Sequence, residues 1–385
     1  MAADKVVVVD DSRVFRRVLK RALTEAGYQV ETAVDGKVGI ELVASLLPDL
    51  VITDVEMPIM CGEEVCRQLK AKAATRMIPV IMLTGSTTTD KIVQLDAGAD
   101  DYIPKSEDLA ELMAKVRVFL RIKHLQDQLR EQNERLRYEN EMNEMELRMA
   151  REVQLGLLPR EGGRRGRLDV AFCYFPMRFV GGDLFDVVVA PDGKTSFFIS
   201  DVSGHGVSAA LITAMVKTSI VAQAHHLQAI SELAARVNLA VCRLAGEDRF
   251  VTAFFGMLEA EGGELHYVNA GHPLALLIRR GEKVAEQLDT GDLPLGITEE
   301  NEYAPATVSV GPGDRIVLYT DGITEAASEA GELYGAARFE QSVLAHADLP
   351  LDALVEKAIQ HLVAFHGGDV FDDDVNLLAC EVTEA

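Results

Sequence analysis

Lys5-Val6-Val7-Val8-Val9-Asp10-Asp11 sets four consecutive valines directly against two carboxylates. A β-branched run with no polar alternation predicts a strand covered on both faces, as in a parallel sheet between helices. Working outward, the unit recurs. Apolar runs at 28–33, 49–54, 79–84 and 100–104 alternate with amphipathic stretches near 13–26, 36–46, 62–72, 87–97 and 107–120. Gly27 stops the first helix, and Pro48, Pro58 and Pro79 mark loops. Five βα units predict a doubly wound α/β domain over residues 1–121.

That (βα)5 arrangement is of the flavodoxin-like type, and a different composition follows it. Glycine is absent from 121 until Gly156 and proline until Pro159, while Glu, Arg, Gln, Leu and Met take over. Ile122, Leu125, Leu129, Gln132 and Leu136 step by three and four, the spacing of a coiled-coil seam. Met142, Met145, Met149 and Glu152 resume the step after a break at Asn140 and Asn143, which argues against one rigid coil. Residues 122–158 therefore read as a helical coiled-coil linker joining two chains in parallel; a single solvated helix with an apolar stripe is the alternative.

Residues 160–166 read as a loop, inside a last domain spanning 159–385. Its β-type runs fall at 169–175, 184–189, 195–201, 251–258, 264–269, 274–279, 314–319 and 376–382, with helical stretches near 207–224, 228–245, 336–346 and 351–365. Strands at both ends of a helical middle predict a layered α/β domain with mixed or antiparallel sheets.

The formal net charge of −23 repels phosphate backbones and anionic bilayers, so neither nucleic acid nor membrane is an expected partner. No apolar run approaches the ~20 residues of a membrane span. Five scattered cysteines without a C-x-x-C pair fit reduced thiols, and the expected location is the cytoplasm.

In an open parallel sheet, ligands bind beyond the carboxyl ends of the strands. Asp10 and Asp11 follow the first strand and Asp54 the third, while Thr84 ends the fourth and Lys105 follows the fifth. Gathered carboxylates suit Mg²⁺, and a lysine with a hydroxyl suits an incoming phosphoryl group. Residues 4–121 closely resemble the response-regulator receiver family, through Asp10-Asp11, Thr53-Asp54-Val55-Glu56-Met57-Pro58, Thr84-Gly85, and Tyr102 with Pro104-Lys105. The resemblance implies that Asp54 accepts a phosphoryl group from a sensor histidine kinase. Asp11, Asp54 and the carbonyl of Glu56 would hold Mg²⁺ with Asp10 assisting; Thr84 and Tyr102 would form the switch, and Lys105 would pair with the phosphoryl oxygens. Cys61 departs from the aspartate that often precedes this glycine.

Four acidic motifs lie in the last domain: Gly181-Gly182-Asp183-Leu184-Phe185-Asp186, Asp201-Val202-Ser203-Gly204-His205-Gly206, Tyr319-Thr320-Asp321-Gly322, and Phe371-Asp372-Asp373-Asp374-Val375-Asn376. Carboxylates converging from separate strands repel one another unless cations neutralise them, and a two-metal centre meets that need. Singly the Asp-Gly pairs read as turns and the Asp372–Asp374 run as a solvated loop; together with Asn269-Ala270-Gly271-His272-Pro273 they read as a site. Residues from about 150 to 382 resemble the PPM family of Mg/Mn-dependent serine/threonine protein phosphatases, in its bacterial SpoIIE-like branch. The resemblance implies two antiparallel sheets packed face to face and flanked by helices, holding two Mn²⁺ or Mg²⁺. Asp201 would bridge both ions, with the Val202 carbonyl as a further ligand. Asp321 and Asp373 would hold one ion and Asp183 the other, with Asp374 adjacent. His205 is a candidate acid for the departing oxygen, an ordinary structural role being the alternative. Asn376 stands where this branch commonly has threonine, a change expected one step behind the ligands.

Ala150-Arg151-Glu152-Val153-Gln154-Leu155-Gly156-Leu157-Leu158-Pro159 resembles the regulatory helix preceding the catalytic domain in this branch. The expected coupling runs from phosphate on Asp54, through Thr84 and Tyr102, to the dimer contacts of residues 87–120. It then passes along the linker to 150–158, ordering the metal site in a homodimer. On family grounds the substrate is a phosphorylated anti-anti-sigma (STAS) protein of a partner-switching pathway. The competing reading is a phosphorylation-gated adaptor that binds a sigma factor or its regulator through a non-catalytic phosphatase fold.

Overall fold

The computed structural model describes residues 3–85, 98–177, 179–224, 229–246, 249–261 and 263–384. The helix expected near 87–97 lies outside them. The chain divides into two compact units, residues 1–140 and 141–385.

In the first unit, β1 (Lys5–Val9), β2 (Gln29–Ala33), β3 (Leu50–Asp54), β4 (Val80–Thr84) and β5 (Asp101–Pro104) form one parallel sheet in the order β2-β1-β3-β4-β5. The valine run fills central strand β1, and successive side chains feed opposite layers. Val6 and Val8 pack with Leu19, Leu23, Leu112 and Val116, whereas Val7 and Val9 pack with Val43, Val65 and Leu69. Helices α1 (Arg13–Glu25), α2 (Gly36–Leu46) and α3 (Gly62–Ala71) cover the sheet. The Ser12 hydroxyl accepts from the Phe15 amide at 3.4 Å, and the Asp35 carboxylate from the Val38 amide at 2.9 Å. Crossing back between β1 and β3 opens the crevice where Asp10 and Asp54 lie.

Helix α4 runs without interruption from Leu109 to Leu155. Its first turns are buried through Leu112, Val116 and Leu120. Beyond them Ile122, Leu125, Leu129, Leu136, Met142, Met145 and Met149 are exposed. The shift of seam phase at Asn140 and Asn143 does not interrupt the helix. Asparagine costs only a fraction of a kcal/mol inside a helix, and a change of seam phase need not break the backbone. Ion pairs Arg130–Glu134 and Arg135–Glu139, at 2.9 and 2.8 Å, support the solvated stretch.

The second unit holds two antiparallel sheets. One, in the order β14-β11-β10-β9-β8, comprises β8 (Leu184–Val189), β9 (Thr195–Val202), β10 (Val251–Leu258), β11 (Glu264–Ala270) and β14 (Ala306–Ser309). The other, in the order β13-β12-β15-β16-β7-β6, comprises β6 (Gly163–Arg165), β7 (Leu168–Phe175), β12 (Ala275–Ile278), β13 (Ala285–Leu288), β15 (Arg315–Tyr319) and β16 (Val375–Val382). The period-2 rule separates the layers again. Ile316, Leu318, Leu378 and Cys380 join Phe185, Phe198 and Phe254 in the core between the sheets. Val317, Tyr319, Leu377 and Ala379 face Phe339, Leu354 and Ile359 on the outer side. Helices α5 (Val207–Ala224) and α6 (Ile230–Leu244) cover the first sheet; α8 (Gly335–Ala345) and α9 (Leu351–His366) cover the second. A four-residue helix, α7 (Asp321–Thr324), follows β15.

One loop expectation is corrected. Residues 163–165 are strand β6, paired Gly163↔Val170, Arg164↔Asp169 and Arg165↔Leu168 around the turn at Gly166, whose φ is 58°. Glycine and arginine carry no strand signal of their own; the pairing is imposed by β7.

Candidate functional site

In the first unit the crevice collects the expected acids. Asp10, Asp11 and Asp54 each offer an oxygen within 4.8 Å of the others. Lys105 Nζ lies 2.5 Å from Asp54 Oδ2, 2.9 Å from Asp10 Oδ2 and 5.1 Å from the Phe15 ring centroid. Its backbone amide donates to the Thr84 carbonyl at 2.8 Å, so the sheet itself aims the ammonium. Burial raises the Asp54 carboxyl, and the bond to Lys105 opposes that rise. Burial also works against the charged lysine, but Asp54 and Asp10 outweigh it and hold its pKa above the ordinary value.

Backbone groups shape the surroundings of Asp54. The Glu56 amide points at the Asp54 carboxylate, while the Glu56 side chain is exposed. Gly62 is required, because a Cβ there would collide with the Asp54 carbonyl. Cys61 is the exposed N-cap of α3 and makes no side-chain cap bond. Tyr102 is half-buried beside Val55 and Met57, and burial pushes its phenol up to about 12.

In the second unit, the acids sit where strands of both sheets end on one side. Asp183 precedes β8, Asp201 lies in β9, Asp321 begins α7 after β15, and Asp373 and Asp374 precede β16. Asp183 is 1% exposed, and burial followed by Asp201 drives its carboxyl well above the ordinary range. Burial, then Asp321, Asp373 and Asp374, pushes Asp201 up to about 7. Burial and then Asp373 raise Asp321. Asp373 and Asp372 are exposed and help line a cavity of about 160 Å³ with Gly322 and Glu325.

Asp374 does something the motifs did not reveal. Its Oδ1 accepts from the Met177 amide at 2.8 Å and its Oδ2 from the Gly182 amide at 2.6 Å, tying the glycine loop to the other sheet. Gly181 has no room for a side chain, since a Cβ would strike that carboxylate. A Cβ at Gly182 would sit 2.9 Å from the Val202 carbonyl oxygen, which places that oxygen beside the loop. Thr320 Oγ1 donates to Asp183 Oδ2 at 2.8 Å, Thr213 Oγ1 to the Gly182 carbonyl at 3.1 Å, and Gln154 bonds Gly181 through both ends of its amide.

Other motif residues build rather than face the site. Asn269 bonds the backbone of His272 on both sides, at 2.8 and 3.0 Å, so the Asn-Ala-Gly-His-Pro stretch is a self-closed turn. Burial lowers His272 to about 3, keeping the ring neutral; its Nδ1 meets Thr252 Oγ1 at 2.9 Å. Asn376 acts through its main chain, exchanging bonds of 3.1 Å with Thr320. His205 is exposed between Gly204 and Gly206, both at positive φ, and makes no hydrogen bond to a described residue. Asp186 pairs with Lys217.

Three of these acids, Asp183, Asp201 and Asp374, are largely buried, with no lysine or arginine among the main influences on their charge. The Tyr174 hydroxyl and the Asn376 amide beside them are buried without a hydrogen-bond partner among the described residues. All-oxygen donors that lack a counter-charge fit hard divalent cations and their waters. Asp183, Asp201, Asp321 and Asp373 could offer such ions their carboxylate oxygens. No three of these carboxylates approach one another as closely as the receiver trio does among the described residues.

Residues 6–117 match the response regulator receiver domain family, and residues 191–383, half of the chain, match the stage II sporulation protein E (SpoIIE) family. The chain belongs to the SpoIIE family. Its receiver portion is 45% identical over 118 residues to the response regulator MprA of Mycolicibacterium vanbaalenii, covering 30% of this chain and 50% of that protein. The MprA of Mycobacterium ulcerans is 44% identical over 124 residues, covering 32% and 53%. The SpoIIE-family chain thus spans about half the length of these curated relatives. Among solved structures it is similar to the RsbU and RsbW domains of Rv1364c from Mycobacterium tuberculosis, with 28% identity and a TM-score of 0.50 over 56% of this chain and 60% of that one. The SiaA-PP2C domain of Pseudomonas aeruginosa, 22% identical with a TM-score of 0.56, covers 63% of this chain and 98% of its own. That likeness shows the shared fold. No described helix is long and apolar enough to cross a membrane.

Proposed function

We propose that this SpoIIE-family chain is a response regulator whose phosphorylation at Asp54 controls a divalent-metal-dependent phosphoserine/phosphothreonine protein phosphatase. The observation that carries the reading is the burial of Asp183 and Asp201 side by side, with raised pKa values and no ion pair to a lysine or arginine among the described residues. An adaptor that only bound a protein would gain nothing from such a costly arrangement. When bound, the cations neutralise these carboxylates and polarise the phosphoryl group and its attacking water. The chain's own part is positional: Asp374, Thr213, Thr320 and Gln154 fix the loop that carries Asp183. His205, on the exposed loop after Asp201, is the candidate proton donor to the departing serine or threonine oxygen.

In the receiver, Mg²⁺ would sit among Asp10, Asp11, Asp54 and the Glu56 carbonyl, and Lys105 is placed to neutralise a phosphoryl group on Asp54. Thr84 and Tyr102 form the switch. The phosphodonor is a sensor histidine kinase, the substrate a phosphorylated STAS protein, and the chain a homodimer through linker and receiver. Mn²⁺-dependent hydrolysis of a phosphoserine protein, with and without beryllofluoride, tests the reading against Asp201→Asn. Metal-dependent turnover that Asp201→Asn abolishes and beryllofluoride alters is expected. No turnover by wild type would shift the assignment to the adaptor.

A further inference from the structure

His366 closes α9, and both nitrogens of its ring meet main-chain carbonyls: Nδ1 that of Ala327 at 2.6 Å, Nε2 that of Val370 at 2.8 Å. A carbonyl only accepts, and a neutral imidazole carries a single N–H. Both bonds therefore stand together only in the imidazolium. The place suits that charge. The last turn of a helix favours a cation, and four acids lie around it: Glu325 after α7, Glu329 in the turn beyond, and Asp372 and Asp373 in the loop after α9.

The two carbonyls belong to the two stretches that carry the last pair of acids. Ala327 follows Asp321 on the stretch after β15, and Val370 precedes Asp373 on the loop that leads into β16. Gly367, at a φ of 91° that a side chain resists, reverses the chain so that the Val370 carbonyl returns to the ring. Phe371 packs beside that ring, 4.9 Å between centroids, and is itself only 5% exposed. The imidazole thus stands between the two stretches and bonds the backbone of each.

We propose that His366 is a positioning residue: as an imidazolium it clamps the Asp321 and Asp373 stretches together, and so sets the affinity of that acid pair for a divalent cation. The inference rests on the phosphatase reading above and deepens it. The bonding partners of His366 are main-chain carbonyls, so it acts on the acids through the backbone. Direction separates this role from a charge effect. A positive charge near a cation site repels the cation, and its removal alone would tighten binding. Removal of a clamp loosens it. Deprotonation leaves one N–H for two carbonyls and opens one side of the clamp, and histidine is the side chain that titrates between about pH 5 and 8.

The test measures Mn²⁺ binding by calorimetry on the full chain, for wild type, His366→Phe, His366→Asn and His366→Gln, from about pH 6 to 8. Asp373→Asn identifies the binding event that belongs to this acid pair. Phenylalanine keeps a ring against Phe371 and removes both bonds. Asparagine and glutamine each offer an N–H near one of the two nitrogen positions. At the acid end of the range His366→Phe is expected to weaken that event roughly tenfold or more, as loss of a group supporting metal-holding residues does. The two amides should fall between it and wild type. The gap between wild type and His366→Phe should narrow as pH rises, whereas a histidine that only fills space would leave it constant. Affinities within about twofold of wild type, tighter binding in His366→Phe, or a gap that ignores pH would each overturn the proposal and leave the phosphatase reading standing. Weakening that merely tracks loss of the metal-free fold, read from melting temperatures in EDTA, would overturn it too. If wild type shows no event that Asp373→Asn removes, the phosphatase reading fails and this inference fails with it.

Discussion

Thr320 stands on the sheet that leads into Asp321, yet its hydroxyl donates across to Asp183 on the opposite sheet at 2.8 Å. The same oxygen accepts the Asn376 amide at 3.1 Å. One side chain therefore sets the spacing between the acids of both sheets, and it is fully buried.

Thr320→Val keeps the shape and removes the hydroxyl, leaving the Asp183 carboxylate and the Asn376 amide without that partner. The expected loss is about 1–3 kcal/mol of stability, the usual consequence of orphaning buried polar groups. Mn²⁺ affinity should fall roughly tenfold or more. Urea unfolding and a Mn²⁺ titration check this; wild-type values in both would show that the bridge is incidental.

The raised Asp201 and Asp183 carboxyls fix the sign of a pH effect. The folded, metal-free protein binds their protons more tightly than the unfolded chain does. Their contribution is complete below the unfolded carboxylate value near 4 and is lost as pH rises through about 7. In EDTA, wild type should lose melting temperature between pH 5 and pH 8 relative to Asp201→Asn. Added Mn²⁺ should reverse that difference, since binding takes the deprotonated acids. Parallel pH curves for the two proteins in EDTA would contradict the raised Asp201 value.

The sequence was legible where one residue type repeats along one element. The Val6–Val9 run announces a doubly covered strand, and carboxylates at or beside strand ends announce both groups of acids. It was opaque where position depends on a distant partner. Gln154 meets Gly181 across 27 residues and Asp374 meets Gly182 across 192, with no periodicity to betray either. Asp374 thus read as one more acid beside a metal, though its oxygens are shared with two backbone amides. Asn140 and Asn143 shift the phase of the seam without breaking the helix, because strong helix formers surround them.

Lys105 is the sole cation paired with Asp54 and Asp10 among the described residues, at 2.5 and 2.9 Å. Lys105→Met should destabilise the receiver by roughly 1–3 kcal/mol in metal-free buffer, a figure kept modest because the lysine is partly exposed. Mg²⁺ should recover part of that loss by replacing the missing charge. Beryllofluoride should lose its effect on hydrolysis. Denaturant melts with and without Mg²⁺ decide it: a loss that Mg²⁺ leaves unchanged would argue that the lysine and the cation do not share one pocket.

Leu129 and Leu136 are 59% and 56% exposed on an unbroken helix, flanked by Arg130–Glu134 and Arg135–Glu139 ion pairs that solvate the adjacent faces. An apolar stripe at seam spacing on such a helix is stabilised by pairing with a second copy, each buried leucine contributing about 1.5–3 kcal/mol. Leu129→Glu with Leu136→Glu places like charges opposite each other in that pairing, while the ion-paired faces remain as they are. Sedimentation equilibrium should show wild type as a dimer and the double variant as a monomer with unchanged helix content. A wild-type monomer, or a double variant still dimeric, would remove the linker from the interface and with it the proposed route from Asp54 to the catalytic acids.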